Sequence, residues 1–210
     1  MRVLTEIKRD TILRAAAEIF QEHGFEGASM AQVAARIGGS KSTLYRYYSS
    51  KEELFLAVSH EFAQRHILPS LELLLASKGK DLPKNLRRFC EVAITTIASE
   101  TSIKTLRTII SESGRSDIGK RFSEAGPEIG LRSLADFFQE QIEAGRMRQA
   151  DSMTAARHLV ALLESETVQP RLMGLKAELS KTEIRDAVHR AVDIFWRGYG
   201  LDGNSQEQHK

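Results

Sequence analysis

The side chains best suited to chemistry lie between Ile37 and Lys51. Three bases, Lys41, Arg46 and Lys51, occur there without an acid, although acids are frequent on both sides. Lys41 and Lys51 each follow a serine of the kind that caps a helix, which puts each cation at the positive end of a helix dipole, unfavourable by about 0.3 to 1 kcal/mol. A phosphate offsets that penalty, because free backbone N–H groups and a lysine at one helix terminus together make an anion site. Ser42, Thr43, Tyr45 and Tyr47 add hydroxyls that can meet phosphates and base edges, whereas Leu44 and, four residues on, Tyr48 can turn inward. Charge alone leaves two solvated lysines as the alternative. Charge, caps and hydroxyls combined point to a surface for a polyanion.

Catalytic patterns fare worse. His60-Glu61 is similar to the start of a zinc-protease helix, but the next histidine is His66, and six residues turn a helix through about 600°, so the two rings diverge. Ser77-Lys78-Gly79-Lys80 fits a Ser-x-x-Lys pattern without its partner motifs. Gly39-Ser40-Lys41-Ser42 lacks the Gly-Lys pair and the preceding strand of a phosphate-binding loop. Cys90 is the only cysteine, which excludes an intrachain disulfide and any site of several thiolates, and fits a reducing compartment. The sequence therefore predicts neither an enzyme nor a cofactor or metal.

The elements that must position residues 37 to 51 are helices. Four prolines in 210 residues and no clear Val- and Thr-rich alternation predict an all-α chain. Ile12, Ala15, Ala16, Ile19 and Phe20 mark one face of a first helix, with Gly24 as its stop signal. Ser29-Met30-Ala31-Gln32 is a capping-box pattern opening a short helix on Met30, Val33, Ala34 and Ile37, closed by Gly38 and Gly39. Ser40 can cap a third helix from Lys41 to about Tyr47, and Ser50-Lys51-Glu52-Glu53 opens a longer fourth. Two short helices around a Gly-containing turn make a helix-turn-helix, whose second helix can enter a DNA major groove. A plain helical hairpin has the same spacing, and the local charge weighs against it.

Beyond the Pro69 position and a break at 79 to 83, the spacing predicts helices at about 84 to 99, 102 to 112, 128 to 144, 151 to 169 and 181 to 198, with an irregular stretch from Gly114 to Pro127. Three units are expected: residues 1 to 50 as the helix-turn-helix domain, 51 to 202 as a larger helical domain, and 203 to 210 as a polar, mobile tail. Thirty bases against 28 acids give +2, so any cationic patch is local rather than global. The start carries charges where a signal peptide needs its apolar run and no stretch reaches the 18 or so apolar residues of a membrane span, so a cytoplasmic protein without a membrane partner is expected.

Arg9-Asp10-Thr11-Ile12-Leu13-Arg14-Ala15-Ala16, Ile19-Phe20, Gly24-Phe25 and above all Gly38-Gly39-Ser40-Lys41-Ser42-Thr43-Leu44-Tyr45-Arg46-Tyr47-Tyr48-Ser49-Ser50-Lys51-Glu52-Glu53-Leu54 carry a further signal. Over about residues 8 to 60 the chain resembles the TetR family of bacterial transcriptional regulators. The resemblance implies DNA contacts from Ser29, Lys41, Ser42, Thr43, Tyr45, Tyr47 and Lys51, with Leu44 packed inward. It also implies a homodimeric repressor on a near-palindromic operator, released by a small lipophilic effector bound in the larger domain. Gly39 departs from the apolar residue usual there, and Tyr48 from the frequent phenylalanine. An all-helical enzyme or small-molecule carrier is the alternative from another class.

In the larger half, Ser180-Lys181-Thr182-Glu183 is a capping box, and the apolar stripe that follows is wider than a single buried face requires. Ile184, Ala187, Val188, Ala191 and Phe195, with Ala155, Leu159 and Leu162 on the preceding helix, are therefore the expected dimer face. Phe89, Cys90, Phe122, Phe137, Gln141 and His158 mix aromatic surface with sparse polar groups and are the expected effector-lining residues, against the plainer reading of core packing.

Overall fold

The computed structural model describes residues 2 to 201, and side chains from residue 6 onward; the expected tail at 203 to 210 lies outside the described residues. Eleven helices make up the described chain: α1 Arg2–Gly27, α2 Met30–Arg36, α3 Lys41–Tyr45, α4 Lys51–Ala76, α5 Leu82–Ile97, α6 Glu100–Glu112, α7 Ile118–Ala125, α8 Pro127–Glu143, α9 Ser152–Glu166, α10 Val168–Leu172 and α11 Lys181–Tyr199. An isolated antiparallel bridge between Met147 and Gly200 is the one extended pairing among the described residues. None of the described helices is long and apolar enough to cross a membrane.

Two cores organise these helices. In the head, Ile12, Ala16 and Ile19 of α1 meet Met30 and Val33 of α2, Leu44 of α3, Tyr48 of the following turn and Leu54 of α4. The body core is larger, running through Leu74, Leu86, Cys90, Ile103, Phe137, Phe138, Leu159, Val188 and Phe195. Between them lies a small apolar joint of Phe25 from α1, Phe55 and Leu56 from α4, Ile109 from α6 and Ile118 from α7. Phe20, Phe25 and Phe55 meet there with centroids 4.9 to 6.2 Å apart, a spacing at which ring quadrupoles add to burial.

Several boundaries differ from the periodic expectation. Helix α1 does not stop at Gly24: that residue breaks the helical geometry with φ 69°, and the chain then resumes a helical turn to Gly27. Pro69 sits inside α4 without ending it, although a mid-helix proline sacrifices one backbone hydrogen bond. The stretch from 114 to 127 holds α7, placed by the burial of Ile118 in the joint. Thr167 divides the expected 151 to 169 helix into α9 and α10. Helix α10 is secured by its own Arg171, which is buried and donates to the Ala98 and Ala177 carbonyls and, at 2.8 Å, to Glu100.

Candidate nucleic-acid interface

The two short helices of the head are set by caps and one turn. Ser29 is extended (φ −138°) and its Oγ accepts from the Gln32 N–H at 3.3 Å while donating to the Gln32 side-chain oxygen at 2.8 Å. The glutamine therefore returns to the serine hydroxyl, and the reciprocal bond of a capping box is not formed. The turn depends on Gly38, the residue in left-handed conformation at φ +64°. Gly39, the departure from the family's usual apolar residue, is not left-handed. An added Cβ there would meet only the Ile37 side chain, at 3.4 to 3.5 Å.

Ser40 opens α3 and organises its first turn. Its Oγ accepts from the Thr43 N–H at 3.2 Å and lies 2.9 Å from the Ser42 hydroxyl and 3.0 Å from that of Thr43. Leu44 is fully buried and anchors the helix from below. Lys41, Ser42 and Tyr45 face solvent, the last 49% exposed despite its ring, and Thr43 and Tyr47 are half-buried. Tyr47 leans on the head core. Arg46, at the end of α3, is also exposed and absent from the expected contact set. The segment's charge pattern contained it, but its exposure depends on where the α3 C-terminus sits in the fold.

Lys51 behaves differently from Lys41. Its ammonium donates to the Phe25 carbonyl at 2.8 Å and lies 4.3 Å from the centre of the Phe25 ring. The charge that looked costly at the start of α4 is thus compensated by the carbonyl end of α1 and by a ring face. The helix itself is capped by Ser50, whose Oγ accepts from the Glu53 N–H at 3.1 Å. Glu53 reaches back to Ser49 rather than to Ser50, accepting from its hydroxyl at 2.6 Å and its N–H at 2.7 Å; these bonds hold the carboxyl below its usual range.

Elsewhere in the head, Arg36 at the end of α2 bonds Glu18 at 2.8 Å and Glu22 at 2.9 Å, clamping α2 to α1. Sequence reading gave no sign of this clamp, because the two acids lie 18 and 14 residues away.

The residues expected around an effector do not surround one cavity. Cys90 and Phe137 are buried in the body core, with Phe89 packed against it, while Phe122 belongs to the joint. Burial pushes the Cys90 thiol up, so it is an unreactive core thiol. Gln141 is buried, donating to the Phe137 carbonyl at 3.1 Å and accepting from Arg146 at 2.8 Å. His158 is exposed, with Nδ1 2.6 Å from the Tyr199 hydroxyl. Clefts of about 350 and 270 Å³ open elsewhere: the first between the α1 end (His23 to Glu26) and α6 (Arg107 to Glu112), the second among Glu166, Lys176, Glu183 and Arg190. None of the six residues lines either cleft. Residue type correctly marked most of them as interior-facing, but periodicity carries no information about which interior.

The residues of the expected dimer face are mostly turned inward within the single chain. Ala155, Leu159, Ile184, Ala187, Val188, Ala191 and Phe195 are all at most 7% exposed within the single chain, and Leu162 is half-buried. The stripe is wide because α11 is packed on two sides, by α5 and by α9. The residues that α9 and α11 leave exposed include Arg157, Ala161, Ser165, Arg190, Ile194, Arg197 and Gly198, with Arg190 and Glu166 paired between the two helices at 2.6 Å.

Comparison with known proteins bears on both halves. Residues 12 to 58 match the family model described as bacterial regulatory proteins, tetR family, and residues 84 to 201 match the AefR-like transcriptional repressor, C-terminal domain. The chain is 39% identical over 59 residues to the HTH-type transcriptional repressor AcnR of Corynebacterium diphtheriae, covering 28% of this chain and 31% of that protein. It is 42% identical over 66 residues to the HTH-type transcriptional activator FasR of Mycolicibacterium smegmatis, covering 31% and 28%. These matches thus span about a third of the curated relatives. Among solved structures, one from Mesorhizobium loti MAFF303099 assigned to the TetR family superposes with a TM-score of 0.82 at 27% identity, over 93% of this chain and 98% of that one. The flavonoid-responsive regulator FrrA gives 0.67 at 30% identity, with the same coverage of 93% and 98%.

Proposed function

Since the chain belongs to the TetR family of bacterial regulatory proteins, we propose that it is a DNA-binding transcriptional regulator that acts as a homodimeric repressor, with α3 of each subunit in the major groove of one operator half-site. The observation that carries this reading is the face of α3: Leu44 is fully buried beneath it, while Lys41, Ser42, Tyr45 and Arg46 stand in solvent beside the Ser40 hydroxyl network. A helix so anchored can present phosphate-binding and base-reading groups without reorganising. Thr43, Tyr47 and Ser29 flank that face. Lys51 supports it from behind, so its contribution is to the seat of α4 at least as much as to a phosphate.

A homodimer formed through the outward face of α9 and α11 places two heads on one duplex, for which the operator must be approximately palindromic. Ile194, 56% exposed between these charged neighbours, is the apolar anchor of that face. The effector is a small lipophilic molecule taken into the body, a reading supported by the likeness to a regulator described as flavonoid-responsive. Because the body core is closed around Phe137 and Phe138, entry requires α5 or α8 to shift, and that movement is what could reach the head through the joint.

Selection of a duplex from a randomised pool, followed by binding titrations at several salt concentrations, tests the reading. Sequence-selective binding with a steep salt dependence is expected. Failure to enrich any sequence would overturn it. An effector that weakens operator binding 5- to 150-fold, about 1 to 3 kcal/mol of coupling, must itself be bound that much more weakly in the presence of operator.

A further inference from the structure

Tyr48 is buried beneath the turn that joins α3 to α4, and its hydroxyl is not idle. It accepts a hydrogen bond of 3.2 Å from Nε of Arg9, 39 residues earlier in α1. A phenylalanine at 48 would fill the same space and leave Arg9 untethered. Arg9 is exposed, and its bond to Tyr48, ahead of the charges of Glu61 and Asp10, strengthens its hold on its proton. Two other bases of the head are employed inside the fold, Arg36 on Glu18 and Glu22, and Lys51 on Phe25. Arg9 combines a fixed position with an exposed charge: Nε is pinned on Tyr48, and the two terminal nitrogens are further donors in a planar fork suited to a phosphate.

Its place follows from the tether. Tyr48 lies three residues beyond Tyr45, the last residue of α3. A helix lying in a major groove about 12 Å wide brings the residues just past its end to the sugar–phosphate rails on either side. We propose that Arg9 is a DNA-phosphate contact and that Tyr48 is the positioning residue that holds it there, extending the interface from α3 to the start of α1. The proposal rests on the DNA-binding reading. Tyr48 thereby has two tasks, filling the head core with its ring and aiming a cation with its oxygen.

The test compares Arg9→Ala, Tyr48→Phe and Lys41→Ala with the wild type on a duplex enriched by the wild-type protein from a randomised pool. Losing one phosphate contact per subunit makes the slope of log K against log salt shallower by about 1, and by roughly 2 for a dimer on two half-sites. Arg9→Ala is expected to show this change with its melting temperature nearly unchanged. Tyr48→Phe keeps the charge but loosens it, so the salt slope should persist while affinity drops about two- to fivefold, the worth of one hydrogen bond. A slope unchanged in Arg9→Ala but flattened in Lys41→Ala would overturn this inference alone and return the Arg9 and Tyr48 pair to a purely structural tie, visible as a lowered melting temperature. No selective binding by the wild type would overturn the DNA reading and this inference with it.

Discussion

The head and the body treat their chemically promising residues in opposite ways. In α2 and α3 the informative side chains are polar, lie on short helices and stay at the surface, because Ser29, Ser40 and Gly38 settle the geometry within a few residues. In α9 and α11 the informative side chains are apolar, and the fold consumes nearly all of them: Ala187, Val188 and Ala191 are covered by the chain's own α5 and α9. A polar face remains available after folding because burying it is costly, whereas an apolar face is taken by whichever neighbour arrives first. The same contrast divides Lys41, left in solvent, from Lys51, drawn onto Phe25.

The contrast is broken most severely by placing a charge in the body stripe. Ala191→Glu buries an unpaired carboxylate in the core and should cost several kcal/mol, enough to prevent folding of the protomer. Ile194→Glu, three residues along but exposed, should leave the thermal transition intact and turn dimer into monomer by light scattering. If Ala191→Glu instead gave a folded monomer, Ala191 would face a partner and the assignment of the stripe to the core would fail.

In the head the largest effect is expected from the buried anchor. Leu44→Ala should destabilise by about 2 to 5 kcal/mol, as for other fully buried leucines, and should lower operator affinity without altering a single exposed group of α3. Denaturant melts and binding titrations together check this; a stable variant with normal affinity would show that α3 is not held from below.

Smaller and of opposite sign are the effects at the two lysines. Lys51→Ala removes a bond to Phe25 and a cation over its ring, for a loss of about 1 to 2 kcal/mol in stability. Lys41→Ala should leave stability unchanged or raise it by a few tenths to about 1 kcal/mol, since a cation leaves a helix N-terminus, while flattening the salt dependence of DNA binding. Matching melting shifts for the two variants would erase the distinction drawn between them.

The smallest effect concerns pH. Glu183 accepts from Lys176 and also completes the capping box of α11 with Ser180, bonds that lower its carboxyl to about 2. A depressed folded value means that its contribution is fully present above the unfolded value near 4.5 and is lost as pH falls toward 2. Wild type and Glu183→Gln should therefore differ in melting temperature at pH 6 and converge near pH 2. A difference that persisted at low pH would place the effect elsewhere.

By itself the sequence determined what is settled over a few residues: the caps at Ser29, Ser40, Ser50 and Ser180, the turn between α2 and α3, the inward side of Leu44, and the chain's all-helical character. Those features depend on backbone hydrogen bonds and dihedral preferences between near neighbours, and residue types report them directly. Tertiary structure alone decided which partner each free group meets. Phe25 claims Lys51 from 26 residues away, Arg9 reaches Tyr48 across 39, and the apolar stripe of α11 disappears beneath α5. Periodicity marks a face as apolar but carries no address for what will cover it, because the hydrophobic effect is non-directional. The surface left outside is known only once every helix has been packed.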